Sequence, residues 1–129
     1  MIYVDTSVTL AHLLVEDRRP SNSLWNDALI SSRLLEYEVW TRLHARGLVP
    51  THSDAAHELI SQISLVELAP PVLERALDAF PVPVRTLDAL HLASLQFLRA
   101  QGVAAELASY DHRMVGAAEA MGIPILELA

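Results

Sequence analysis

Ile2-Tyr3-Val4-Asp5-Thr6-Ser7, at the start of the chain, is the stretch that decides the fold. Ile, Tyr and Val are apolar and β-prone, and three together fit a short buried strand. Asp, Thr and Ser are helix-capping residues, and Leu10, Leu13 and Leu14 behind them lie at helical spacing. A strand that turns into a helix across one polar corner is the opening of a β-α unit.

The same order repeats outward from this corner. Pro20 and Ser21 restart the chain into a short helix around Trp25, and Ala28-Leu29-Ile30 reads as a second strand with Ser31 and Ser32 available as caps. A strong helix is predicted from Leu34 to Arg46, with Leu35, Val39 and Leu43 spaced by four and Gly47 as its stop. A helix from Ser53 to Ile63, a strand from Ser64 to Leu68 and a helix from Val72 to Ala79, opened by Pro70-Pro71, are expected next. Pro81 to Arg85 reads as a loop, and Thr86 as the cap of a long helix ending at Gly102. Glu106 to Tyr110 is predicted as a strand leading to Asp111. A helix then runs to Met121, Gly122 stops it, and Ile123 to Leu126 forms a last strand. Alternating strands and helices predict an α/β fold in three layers, with a central, mainly parallel sheet of four to five strands covered on both faces. With 129 residues and neither repeat nor linker, residues 1–129 are expected to form one domain.

Hydrophobic residues make up 52% of the chain and charged ones 19%, which excludes a disordered chain. Apolar runs such as Val8 to Val15 are interrupted by Thr9 and His12, and Met1 leads into the first strand without the features of a signal peptide. A soluble, cytoplasmic protein with no membrane partner is expected. The absence of cysteine removes disulfides, thiolate chemistry and cysteine zinc sites. The net charge of −7 and the absence of Lys argue against nucleic-acid binding by bulk charge. Carboxylates that hold divalent cations, or Arg residues gathered at one rim, would reverse that locally; otherwise the charge is a solvated acidic surface.

In parallel sheets ligands bind outside the carboxyl ends of the strands. Asp5 ends the first predicted strand and Asp111 the fourth, Asp88 sits in the first turn of the long helix, and Glu38 lies beside an apolar stripe. Four carboxylates in one crevice would repel one another unless a cation held them, and hard oxygen donors point to Mg²⁺ or Mn²⁺. Each acid also has an ordinary structural role open to it. Asp5 and Asp111 can cap helices, Glu38 can pair with Arg42 one turn on, and Asp88 can serve the helix dipole alone.

These stretches carry a family resemblance. Ile-Tyr-Val-Asp-Thr-Ser is similar to the first strand of PIN domains, and Ser31 to Arg42 with Glu38-Val39 resembles their second acidic motif. Arg85-Thr86-Leu87-Asp88-Ala89-Leu90-His91-Leu92-Ala93 resembles the third, and Ala108-Ser109-Tyr110-Asp111-His112-Arg113-Met114 the fourth. The chain is identified as a member of the PIN-domain ribonucleases, most similar to the VapC toxins of toxin–antitoxin pairs. It departs from the family pattern in having Ser109 where Thr is frequent and His112 where a basic residue is frequent.

The resemblance implies an endoribonuclease that hydrolyses RNA with Mg²⁺ or Mn²⁺ held by Asp5, Glu38, Asp88 and Asp111. Asp5 and Asp88 are expected as the most direct ligands. Ser7 and Ser109 are candidate supporting residues, although Ser7 can equally be a simple cap. Arg42, Arg85 and Arg113 are candidates for RNA phosphates, because Arg offers a bidentate fork. His91, three residues after Asp88, is either a general acid or a packed structural histidine. The implied partners are RNA, a cognate antitoxin and a second copy of the chain. Leu10, Leu13, Leu14 and Trp25 are expected to leave apolar surface for such a partner. A receiver-like phospho-acceptor would need adjacent acids after the first strand and a Lys, and an Asp-x-Asp phosphatase would need an acid at Ser7; the chain has neither. A catalytically silent PIN fold that only binds RNA or protein remains the alternative.

Overall fold

The alternation within Ile2-Tyr3-Val4 sets the layers of the molecule. A computed structural model of the chain describes residues 1–128. Strand β1 (Ile2–Val4) sends Ile2 and Val4 to one face of the sheet and Tyr3 to the other, as a period of two requires. Ile2 and Val4 pack with Val8 of α1 (Thr6–Leu13), Leu35, Val39 and Leu43 of α2 (Arg33–Ala45) and Leu59 of α3 (Val49–Ser61). Tyr3 packs with Leu92 and Leu95 of α5 (Thr86–Ala100) and Ala117 and Ala118 of α6 (His112–Ala120). Leu35, Leu43, Leu92 and Leu95 are fully buried, each contributing about 1.5–3 kcal/mol of hydrophobic stabilisation.

The sheet has four strands in the order β3-β2-β1-β4, with β2 at Leu29–Ser32, β3 at Ile63–Val66 and β4 at Glu106–Ala108. Every pairing is parallel. The chain steps from β1 outward to β2 and β3, then returns by α4 (Pro70–Leu77) and α5 to place β4 on the other side of β1. That reversal puts a switch point between the carboxyl ends of β1 and β4, the place where such sheets leave a crevice.

Several boundaries differ from the sequence expectations, for local reasons. The last strand is reduced to a single bridge, Leu107 to Ile125. Leu107 gives its N–H to the Pro124 carbonyl and takes one from Leu126, and pairing goes no further, since Pro124 has no N–H to offer. β4 ends at Ala108, short of Asp111. Ser31 is a buried strand residue that donates to the Val4 carbonyl, while Ser32 alone caps α2. α3 begins at Val49, with a proline in its first turn, and hands over to β3 at Ile63. The residue capping α5 is Arg85, through its backbone, and Thr86 is already helical. The segment at Trp25 is a 3-10 turn, Asn22–Asn26. Gly47 and Gly122 take left-handed φ values of 65° and 75° behind α2 and α6, where a side chain would be strained.

The early apolar residues do not form a free surface: Leu10, Leu13 and Leu24 are buried, and Leu14 and Trp25 pack against the same core. The exposed apolar side chains are instead Leu73 and Leu77 of α4, Val82, Leu87, Val15, Tyr37 and Met1. No helix among the described residues is long and apolar enough to cross a membrane.

Candidate active site

Asp5 follows β1 directly and is 2% exposed. One carboxylate oxygen accepts from the Val8 amide at 3.1 Å, which caps α1, and from the Ser7 hydroxyl at 2.6 Å. The other accepts from the Ser109 hydroxyl beyond β4. Both serines are themselves held: Ser7 Oγ accepts the Tyr110 amide and Ser109 Oγ the Asp111 amide, each at 2.9 Å. The capping and functional roles of Asp5 therefore coexist: the oxygen that caps α1 accepts two bonds, whereas the one held by Ser109 accepts one and keeps a lone pair free for a ligand. Burial pushes the Asp5 carboxyl above its ordinary range, against the opposing pull of Ser109, Ser7 and the Val8 amide.

Glu38 projects from α2 into the same cleft. Its Oε1 accepts from Thr6 Oγ1 at 2.8 Å and lies 2.6 Å from His91 Nε2. His91 Nδ1 lies 2.8 Å from the Tyr3 hydroxyl. A carboxylate only accepts, so Nε2 carries the proton of the Glu38 bond. Burial raises the Tyr3 phenol above its ordinary range, so it stays protonated and donates to Nδ1. His91 is 2% exposed and runs between β1 and α2 as a structural bracket for Glu38.

Asp88, in the first turn of α5, and Asp111, the N-cap of α6, close the other side. Asp111 Oδ1 accepts the Arg113 and Met114 amides at 2.9 and 3.3 Å. Its Oδ2 faces Arg85 Nη2 at 3.2 Å, and Asp88 Oδ2 faces Arg85 Nε at 3.3 Å, so one guanidinium spans both acids. Burial raises the Asp88 carboxyl, the negative charge of Asp111 raises it further, and Arg85 opposes both.

All four acids line one cleft of about 860 Å³, together with Thr6, Ser7, His91, Tyr110, Arg18, Arg42 and Arg85. Arg42 reaches the cleft without pairing with Glu38, whose partners come from α1 and α5. Ser109 stands beneath the cleft, behind Asp5. Arg113 is not brought to the cleft: it is exposed on the first turn of α6. Thr6 and Arg18 were not singled out from sequence. Arg18 lies over the Tyr110 ring, 4.8 Å from its centre, in a loop that α1 enters through the left-handed Val15 (φ 51°). Only the Thr6 position, beside the Asp5 corner, offered a sequence signal.

The donor set is hard oxygen throughout, with no thiolate and with the His91 ring committed to Tyr3 and Glu38, which suits a hard divalent cation. Among the described residues no three acids or imidazoles stand close enough to share one ion as arranged, and Arg85 lies against two of the acids. Two acids raised by burial are groups whose charge a cation would compensate.

A parallel sheet whose switch point gathers acids from four separate segments is the architecture of a PIN domain, and the chain belongs to the PIN-domain family, which it matches over residues 2–120. Within that family it is similar to Ribonuclease VapC35 of Mycobacterium tuberculosis, at 28% identity over 98% of this chain and 96% of the relative. Ribonuclease VapC47 of the same species is 29% identical over 95% and 93% of the two chains. Ribonuclease VapC46 is 32% identical over 75% and 72%.

Proposed function

We propose that this chain is a metal-dependent endoribonuclease, the toxin of a toxin–antitoxin pair, that hydrolyses RNA phosphodiester bonds in the Asp5–Glu38–Asp88–Asp111 cleft. The observation that carries this reading is Asp5, buried at the switch point and clamped by Ser7 and Ser109, facing three further acids across one cleft. The ribonuclease names of the relatives support the choice of RNA.

Asp5 and Asp88 would hold Mg²⁺ or Mn²⁺ directly, with Glu38 and Asp111 completing the shell. Such an ion, when bound, supplies a water of lowered pKa and positive charge beside the phosphate. Ser7 and Ser109 fix the Asp5 carboxylate, and Thr6 and His91 fix that of Glu38, so the oxygens are oriented before a ligand arrives. Arg18, Arg42 and Arg85 line the cleft with exposed side chains, from which guanidinium forks would meet phosphates. This local arrangement offsets the net charge of −7.

The chain is proposed to act as a single cytoplasmic domain with a cognate antitoxin as protein partner. Leu73, Leu77 and Val82, which line an apolar groove of about 700 Å³, support a homodimer through that surface. The test is cleavage of a single-stranded RNA by purified chain in Mn²⁺ and in EDTA, with Asp5→Asn prepared in parallel. Cleavage in Mn²⁺ alone, lost in Asp5→Asn, is expected. Equal cleavage by the variant or in EDTA would reject the reading, and RNA binding without cleavage would favour the silent-module alternative.

A further inference from the structure

Arg85 is an unusual member of the cleft, because both partners of its guanidinium are acids proposed to hold the ion. Its side chain is 62% exposed, and its contacts at 3.2 and 3.3 Å are longer than those of a tight guanidinium–carboxylate pair. It caps α5 through its backbone alone, so the side chain can leave without disturbing the helix. Among the described residues no other Lys or Arg pairs with Asp88 or Asp111.

We infer that Arg85 is an internal counter-ion that occupies the Asp88–Asp111 side of the metal site and is displaced to the mouth when a divalent cation enters, where it binds RNA phosphate. The inference rests on the metal-site reading above. Asp88 and Asp111 repel each other, and one guanidinium spanning both relieves that repulsion. A divalent cation at the same acids would repel the guanidinium at short range, so the two occupancies exclude each other. The released side chain remains in the cleft with Arg18 and Arg42, where it would be free to meet an RNA phosphate. Arg85 thus opposes metal loading and favours RNA once the metal is in place.

The two roles predict effects of opposite sign for one substitution. Exposed ion pairs of this kind are weak, so Arg85→Ala should tighten Mn²⁺ binding by about three- to tenfold. Binding of a short 2′-O-methyl oligoribonucleotide in Mn²⁺ should weaken, and its logarithmic salt dependence should become shallower by about 0.7, one phosphate contact on a single strand. Arg42→Ala removes the same charge from the same cleft without touching an acid, and should change the salt dependence but not the Mn²⁺ affinity. The experiment is calorimetric titration of the metal-stripped full chain with Mn²⁺, paired with an anisotropy salt series, for wild type, Arg85→Ala, Arg42→Ala and Asp88→Asn. Mn²⁺ affinity in Arg85→Ala that is unchanged or weaker, or matched by Arg42→Ala, would overturn the counter-ion role. Wild-type Mn²⁺ binding unaffected by Asp88→Asn would instead remove the metal-site reading itself, and the inference with it.

Discussion

Asp5 and Asp88 face the same cleft, but the protein holds them by different means. Asp5 is gripped by the Ser7 hydroxyl, the Val8 amide and the Ser109 hydroxyl, and both serines are fixed in turn by the backbone after β4. Asp88 has one side-chain partner, the exposed Arg85. The first half of the crevice is thus part of the folding unit, because its hydrogen bonds tie β1, α1 and the end of β4 together. The second half is left for something else to complete. A site built this way fixes where the ligand sits through one acid and keeps the other free to adjust.

That contrast is most sharply tested by stability, not activity. Asp5→Ala and Asp88→Asn should both reduce RNA cleavage to the EDTA background. Asp5→Ala should also destabilise the metal-free protein by about 2 kcal/mol, since it removes a helix cap and leaves the Ser7 and Ser109 hydroxyls without their acceptor. Asp88→Asn should instead raise stability by about 0.5 kcal/mol at neutral pH. The sign follows from its raised folded-state pKa: the ionised carboxyl costs stability, and neutralising it removes that cost. The gain should fade as the pH falls and the wild-type carboxyl takes up its own proton. Urea unfolding of both variants checks this, and destabilisation of equal size in the two would erase the distinction between the halves.

A smaller effect is expected one step behind Asp5. Ser109→Ala should lower cleavage by about ten- to a hundredfold, as loss of a hydrogen bond that orients a ligand does, and Ser109→Thr should restore it. Failure of Thr to rescue would mean that the hydroxyl is not what matters. His91→Ala should cost less in activity, about tenfold, because Thr6 still holds Glu38, and His91→Gln should recover part of it through its amide donor. Initial rates over a range of RNA concentrations separate this loss of turnover from a loss of RNA affinity.

The unevenness of the site also explains which parts could be read from sequence. The β1–α1 corner was legible because strand, cap and helix follow one another within seven residues. For Asp5 and Asp111 the capping and site roles looked like alternatives, but the two carboxylate oxygens divide them: Asp111 caps α6 with one and meets Arg85 with the other. The partners of Glu38 were not legible, since Thr6 lies 32 residues before it and His91 53 after, whereas Arg42 stood at the expected spacing and does not pair with it. Arg18 sits in an irregular loop that periodicity does not describe. Arg113 follows Asp111 closely in sequence but does not line the cleft, because its side chain projects, exposed, from the first turn of α6. The early leucines were read as spare surface because hydrophobic fraction alone cannot say which helix faces the sheet; packing buries them.

On the proposed reading, a divalent cation completes the half of the crevice around Asp88 against a half already fixed around Asp5. Anomalous scattering from crystals of the full chain soaked in Mn²⁺ tests it most directly. The expected result is a peak bound by Asp5 and Asp88, with Arg85 turned away from Asp88 and Asp111. A cleft without a peak and with Arg85 still spanning both acids, or a peak held by other residues, would contradict it.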